Sequence, residues 1–155
     1  MKNTSGYVFS LGSGAFSWCS KKQQTVAQSS AEAEYISAGL ATQQAIWLKK
    51  ILNDFGEKQE AVTIHCDNKS AIAIAKNPVH HGRTKHIAIK HHFIREAIEN
   101  EEVQLNFCKT NNQVADIFTK ALKSDNFKRL RDLLGVQKPS LRGNIGNNLG
   151  LLGNN

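Results

Sequence analysis

One helical pattern constrains this chain more than any other feature of its sequence. Ser29 followed three residues later by Glu32 forms a capping box, and Ile36, Leu40, Trp47, Leu48, Ile51, Leu52 and Phe55 then recur at helical spacing until Gly56. A helix of that length buries a stripe, so it needs a second layer to pack on. The flanking segments supply strands. Residues 7–11 and 16–20 are short runs rich in aromatic and β-branched side chains, separated by Gly12, Ser13 and Gly14, which predicts an antiparallel hairpin. Residues 62–67 predict a third strand that runs directly into a short helix over 70–76, closed by Asn77 and Pro78. A strand feeding a helix marks an α/β unit.

The remainder repeats that alternation. Residues 79–85 read as a polar, basic loop, and Ile89, Phe93, Ala97 and Ile98 give a second amphipathic helix that fades at Asn100. Residues 103–108 read as another strand. Asn111 or Asn112 is expected to cap a last core helix, in which Val114, Ile117, Phe118, Ala121 and Leu122 fall at i, i+3, i+4, i+7 and i+8. A short helix over 127–134 follows. The chain has 155 residues, which suits one core, assigned here to residues 1–136. From Gly143 onward nine of thirteen residues are Gly or Asn. Such a composition cannot bury enough apolar surface to offset its ordering entropy, and residues 137–155 are expected to be a disordered tail.

Composition excludes several classes. No apolar run approaches the roughly 20 residues a membrane span requires, and no apolar core follows Met1-Lys2-Asn3-Thr4-Ser5, so neither a bilayer segment nor a secretory signal is expected. Cys19, Cys66 and Cys108 are odd in number, far apart and without CxxC spacing, which argues against a disulfide framework and a zinc knuckle. An intracellular setting, cytoplasmic or nuclear, is the expectation. The formal charge is +7, and between Asp67 and Glu96 there is no acid, while Lys69, Lys76, Arg83, Lys85, Lys90 and Arg95 are joined by five histidines. Such a segment suits tracking of phosphates, whose neutralisation releases counterions and drives nucleic-acid affinity. A solvated charged face is the alternative. The histidines lack paired Cys and His spacing, which speaks against zinc.

Three carboxylates stand out. Glu32 and Glu34 face different ways, because residues two apart on a helix are separated by about 200°. Glu34 shares a stripe with Ala38, Ala41, Ala45, Leu48 and Leu52 and therefore points along the packing face, whereas Glu32 serves the capping box. A carboxylate on a packing face is either an edge residue favoured by the helix dipole or a metal ligand. Asp67 ends its strand where ligands meet α/β sheets; the alternative is an N-cap, which Asn68 could equally supply. Asp116 lies in the first turn of the last predicted helix, where dipole complementation alone accounts for it. Together the three could offer hard oxygen ligands to magnesium at one rim of a sheet, and two such ions about 4 Å apart can drive phosphodiester hydrolysis.

Linked segments along most of the chain carry a resemblance. They are Thr4-Ser5-Gly6-Tyr7-Val8-Phe9, Trp18-Cys19-Ser20-Lys21-Lys22-Gln23, Ser29-Ser30-Ala31-Glu32-Ala33-Glu34-Tyr35, His65-Cys66-Asp67-Asn68-Lys69-Ser70-Ala71, Lys85-His86-Ile87, His92-Phe93-Ile94-Arg95-Glu96 and Ala115-Asp116-Ile117-Phe118-Thr119-Lys120. In order and spacing, from about Thr4 to Gly135, they resemble the ribonuclease H region that ends copia-type retrotransposon Pol polyproteins. The resemblance implies an α/β fold with a ribonuclease H-like mixed sheet of five strands flanked by helices. It also implies hydrolysis of the RNA strand of RNA–DNA hybrids with two Mg2+ ions, and association with the reverse transcriptase domain of a parent polyprotein. Glu34, Asp67 and Asp116 match the family's glutamate on the first helix, the aspartate ending its fourth strand and its last aspartate. They are the implied catalytic and metal-binding residues, with Lys69, Lys76, Arg83, Lys85, Lys90 and Arg95 on the nucleic acid. The family's first aspartate lies on a strand upstream of the Thr4 segment, where this sequence has only Met1-Lys2-Asn3, and no Asp or Glu precedes Glu32. The expectation is therefore a sheet with its first, central strand missing, one of four carboxylates absent and impaired hydrolysis. A noncatalytic nucleic-acid-binding module and a decayed retroelement fragment are the alternatives. Ala88 and His91 also depart from the family pattern, which usually shows an acidic and an aromatic residue there.

Overall fold

A computed structural model describes residues 2–24, 26–58, 60–76 and 93–136. Strand β1 (Thr4–Leu11) runs antiparallel to β2 (Gly14–Lys22), with Val8 opposite Trp18 and a register shift between Phe9 and Ser10. The hairpin extends beyond its aromatic runs because the Gln23 N–H donates to the Asn3 carbonyl at 2.8 Å. Gly12 turns the chain at φ +61°, a left-handed conformation that glycine adopts without strain.

Helix α1 spans Ser30–Asp54. Ser29 caps it, its hydroxyl accepting the Glu32 N–H at 3.1 Å, and the Glu32 carboxylate accepts the Gln28 N–H at 2.7 Å, one residue upstream of the usual box. Small residues dominate its buried face: Ala33, Ala38, Gly39, Ala41 and Ala45 accompany Tyr35 and Thr42. Trp47 and Phe55, prominent in the sequence pattern, are exposed. Short side chains let the helix backbone approach the strands, so the large apolar positions fall on the other side.

After α1 come β3 (Val62–Cys66), α2 (Lys69–Lys76), a helical stretch at 93–99 (α3) and β4 (Val103–Phe107). β4 pairs with β3 in parallel, Ile64 opposite Leu105, as a helical crossover between strands requires. Ile64, Cys66, Ile94, Ala97, Val103 and Leu105 are buried here together with Ala41 and Ala45 of α1. This is the core. The expected last core helix is absent in that form. Residues Thr110–Asn112 and Val114–Phe118 form two short 3-10 turns, the second capped not by Asn111 or Asn112 but by the Gln113 side chain. An α-helix would commit the Phe118 carbonyl to the N–H four residues on, at Leu122. Here the Ser20 hydroxyl takes it at 2.7 Å, and Ala121 and Leu122 lie outside any helix.

Helix α4 (Ser124–Leu133) closes the described chain, with Leu130 fully buried. It starts three residues before the sequence pattern suggests. Its end docks on the hairpin: the Ala15 N–H donates to the Leu134 carbonyl at 3.0 Å, and Gly135, at φ +76°, lies so close that an added Cβ would meet the Ser13 carbonyl oxygen at 2.4 Å.

Among the described residues the four strands form two separate pairs, β1-β2 and β3-β4. Between them lies a cleft of about 360 Å³, lined by consecutive residues of both inner strands, Gly6 to Ser10 and Val62 to Cys66, and roofed by Glu34, Ser37, Ala38 and Ala41. A mixed α/β arrangement with a gap between its antiparallel and parallel pairs is compatible with a ribonuclease H-like fold. The basic loop at 79–85, Asn77 and Pro78, Ile89, Arg83, Lys85, Lys90, the five histidines of that segment and the tail at 137–155 lie outside the described residues.

Candidate functional site

Three elements deliver carboxylates to one rim of the molecule. Asp67 follows β3 directly. Its competitor for the capping role settles the local question: Asn68 Oδ1 accepts the N–H groups of Ser70 and Ala71 at 3.0 and 3.1 Å, which leaves the Asp67 carboxylate uncommitted to the helix. Asp116 sits on the second 3-10 turn, and that turn is fastened to both halves of the molecule. Gln113 Nε2 donates to the His65 carbonyl at 3.0 Å, and Ser20 Oγ donates to the Phe118 carbonyl. Close packing helps, since a Cβ on Gly6 of β1 would meet Thr119 Cγ2 at 2.5 Å. Glu34 reaches the rim from the first turns of α1, half-buried at the cleft.

A lysine joins them. Lys120 Nζ lies 2.9 Å from Asp116 Oδ1, 3.0 Å from Asp116 Oδ2 and 3.6 Å from Asp67 Oδ2. The two aspartate side chains are each 9% exposed and the lysine 44%, so the ammonium enters from the solvent side and the carboxylates wait beneath it. Sequence reasoning passes over this residue. The available signal is the i, i+4 spacing of Asp116 and Lys120 inside Asp-Ile-Phe-Thr-Lys, a pairing known to join opposite charges on helical backbone.

The electrostatics express this crowding. Burial raises the Glu34 carboxyl above its ordinary range, and the charges of Asp67 and Asp116 add to the rise while Lys120 opposes it. Burial likewise raises Asp116, with Asp67 reinforcing and the Lys120 hydrogen bond and charge opposing. For Lys120 itself, burial works against the ammonium. The hydrogen bond to Asp116 and the fields of Asp116, Asp67 and Glu34 outweigh it, so its pKa ends above the usual lysine value. Burial pushes the nearby Cys66 thiol up to about 11, which keeps it protonated and unfit as a nucleophile or metal ligand at neutral pH.

Hard carboxylate oxygens suit magnesium by type. Their arrangement does not yet suit it: among the described residues no three His, Cys, Asp or Glu side chains converge so that they could hold a metal ion, and Lys120 fills the space between Asp67 and Asp116. What the site holds as it stands is an ammonium. The basic residues are dispersed. Lys69 opens α2 and lies over the Phe107 ring, 4.9 Å from its centroid, and Lys76 is exposed at the far end of that helix. Arg95 is half-buried, with Nε enclosed and unpaired among the described residues and its charge acting on Tyr35.

Comparison with known proteins returns Pol polyproteins over most of the chain and an effector protein over a shorter stretch. The chain is 40% identical over 135 residues to the retrovirus-related Pol polyprotein from transposon TNT 1-94 of Nicotiana tabacum, covering 87% of this chain and 10% of that protein. It is 37% and 38% identical over 137 residues to the Pol polyproteins from transposons RE1 and RE2 of Arabidopsis thaliana, 88% of this chain and 9% of each relative. A shorter match, 57% over 47 residues, joins it to the secreted RxLR effector protein 161 of Plasmopara viticola, covering 30% of this chain. No family model and no solved structure matches. Over most of its length the chain is thus homologous to copia-type retrotransposon Pol polyproteins, and it spans about a tenth of theirs.

Proposed function

We propose that this chain is the ribonuclease H-like portion of a copia-type retrotransposon Pol polyprotein, directed at the RNA strand of RNA–DNA hybrids, and that on its own it hydrolyses them poorly. One observation carries the reading. Glu34, Asp67 and Asp116 come from a helix start, a strand end and a turn separated by tens of residues, yet they act on one another electrostatically at a single rim. Repulsion among desolvated acids is costly, and the one ammonium that meets Asp67 and Asp116 offsets it only in part, since Glu34 and Asp116 keep raised pKa values. Functional sites gather such groups. The gap between β1 and β3 supports the fold assignment, because it lies where a further strand would join the two pairs.

Magnesium belongs to this proposal through the chemistry of the donors, with Glu34, Asp67 and Asp116 as its ligands; such ions supply Lewis acidity and an activated water. This chain's own residues bring the acids and a cation between two of them. The reverse transcriptase portion of a parent polyprotein is the proposed partner, and Lys69 and Lys76, with Arg83, Lys85, Lys90 and Arg95 of the basic segment, are the proposed contacts to phosphate.

A second reading, a noncatalytic nucleic-acid-binding module, is favoured by the ammonium that stands among the acids. Incubating the purified chain with a labelled RNA–DNA hybrid and magnesium tests both, since weak cleavage that Asp67→Asn removes favours the nuclease and binding with no cleavage above that variant favours the module. Binding that weakens steeply with salt is expected, with cleavage at or near background. Robust cleavage abolished by Asp67→Asn would overturn the impairment and leave the nuclease assignment standing. Absence of hybrid binding would sink both.

A further inference from the structure

The face of the hairpin turned away from α1 carries two large aromatic side chains that the core does not use. On β2, Gln44 of α1 donates to Ser17 Oγ at 3.4 Å, and a hydrogen bond joins Cys19 to Tyr7, which packs on the core. Phe16 and Trp18 alternate with them and stand on the opposite face, 44% and 59% exposed. The ladder is irregular there. Phe9 pairs with Ser17 and Ser10 with Ala15, so Phe16 has no partner across the ladder, the mark of a bulge that re-aims a side chain. Neighbouring elements dock at either end of this face and leave its middle open: Ser20 holds the Phe118 carbonyl, and Ala15 holds the Leu134 carbonyl.

A lone exposed ring means little. Here two lie at neighbouring positions of one face, and the charge around them has a single sign. Residues 2–24 carry Lys2, Lys21 and Lys22, all exposed, and no acid. Lys22, four residues beyond Trp18, shares its face by strand alternation. Where α4 docks, Asp132 is already engaged by Arg131 at 2.8 Å.

We infer that this outer face of the hairpin is a stacking platform for single-stranded nucleic acid, with Trp18 and Phe16 beneath unpaired bases and Lys21 and Lys22 on the flanking phosphates. A duplex keeps the flat faces of its bases inside the stack, whereas an unpaired strand exposes them. Stacking on aromatic side chains tolerates any sequence, because every base has a π-face. Lysines without competing acids add the backbone attraction that single strands require. The inference rests on reading the chain as a nucleic-acid-binding protein, and it adds a second surface, apart from the carboxylate rim, that takes a different form of the polymer. It needs neither the acids nor cleavage. An indole standing in solvent contributes little to folding, so its removal reports on binding.

Tryptophan fluorescence reads the contact directly. The chain has two tryptophans, and the other, Trp47, is exposed on α1, so Trp47→Phe leaves Trp18 as the sole indole. Oligo(U) or oligo(dT) of about twelve nucleotides, within the site sizes of single-strand binders, should quench its emission, and a blunt-ended RNA–DNA hybrid should not. By fluorescence anisotropy of the labelled oligomer, Trp18→Ala should weaken binding by about tenfold and Phe16→Ala by less, while Trp18→Phe keeps most of the affinity. Lys22→Gln should lower the salt slope by about one. Affinity for the blunt hybrid should be unchanged by Trp18→Ala. Should that variant fail to fold, the quenching of Trp18 and the affinity of Trp18→Phe decide. No single-strand binding, or binding that neither quenches Trp18 nor weakens in Trp18→Ala, would overturn the platform. So would an equal loss on the blunt hybrid, which marks a contact that needs no unpaired base, or self-association removed by Trp18→Ala without any quenching, which marks an interface between copies. Hybrid binding that persists while single strands are ignored defeats this inference alone; loss of both defeats the nucleic-acid reading beneath it.

Discussion

The two strand pairs of this molecule are held by different physics. In the parallel pair, Ile64, Val103 and Leu105 are buried against α1 and the helices of the crossover, so burial of apolar side chains carries the stability. The antiparallel pair gives α1 only one face, with Ser5, Tyr7 and Phe9, and turns Phe16 and Trp18 to solvent at 44% and 59% exposure. It is fastened instead by polar contacts. Gln23 Nε2 donates to Ser5 Oγ at 2.7 Å and to the Ala33 carbonyl at 3.0 Å, the Ser37 hydroxyl joins Ser5, and the Leu134 and Phe118 carbonyls reach Ala15 and Ser20. The difference matters for the carboxylates. Asp67 belongs to the apolar half, while Asp116 rides on a turn bonded to both, so the geometry of the site depends on how firmly the hairpin is docked.

The sharpest break in this contrast is a truncation in each half. Leu105→Ala should cost about 3 kcal/mol, because a fully enclosed side chain leaves a cavity behind. Trp18→Ala, although it removes a larger side chain, should change stability by less than about 0.5 kcal/mol at its exposed position. Urea unfolding of both variants decides the matter, and comparable losses would mean that the hairpin shares the core after all.

Gly135→Ala comes next. It forces a side chain onto a left-handed backbone and drives a Cβ against the Ser13 carbonyl, a combination expected to cost about 2 kcal/mol. The loss should be local. Hydrogen exchange at the Ala15 amide, which donates to Leu134, should accelerate, with the amides of β3 and β4 unaffected below global unfolding. Uniform acceleration would show one cooperative unit and erase the distinction between the halves. Gln23→Ala should follow at about 1.5 kcal/mol, since it removes one donor from the buried Ser5 hydroxyl and one from the Ala33 carbonyl and leaves both to the Ser37 hydroxyl. Its single unmet atom, the enclosed Oε1, makes this a lower cost than a fully satisfied network would show.

Much of this organisation is legible in the residues, and the parts that are not share a cause. The Ser29 cap, the Gly56 stop, the hairpin glycines and the Asn68 cap are local: each acts on backbone within a few residues, and sequence spacing suffices to find them. Glu34 is separable from Glu32 for the same reason, because helical geometry fixes which of two nearby acids faces the packing side. The 3-10 turn at Val114–Phe118 is not legible, since it is decided by Ser20, ninety-eight positions from Phe118, taking a carbonyl that the local pattern assigns to a helix. Lys120 escapes a sequence reading because its second partner, Asp67, arrives by tertiary packing. The division into two strand pairs is likewise a tertiary fact that no local run announces.

The smallest effect probes where the halves meet. Glu34 carries a raised pKa, so its charged form is the less favoured one in the folded chain. The native state then binds more protons than the unfolded state between the ordinary glutamate value, 4.5, and the raised folded value, and stability falls as pH rises through that window. Above the window the whole penalty is present; below it the penalty vanishes. Glu34→Gln removes the charge and keeps the shape, and at pH 7 it should stabilise the chain by a few tenths of a kcal/mol, reduced from a buried-charge value by solvent screening. At pH 4 the gain should shrink toward zero, because the native carboxyl is by then largely protonated. Urea midpoints at both pH values check the sign. A gain of equal size at pH 4 would mean that the substituted amide packs better for reasons unrelated to charge, and a loss at pH 7 would mean that Glu34 is held by Lys120 more strongly than it is repelled by Asp67 and Asp116.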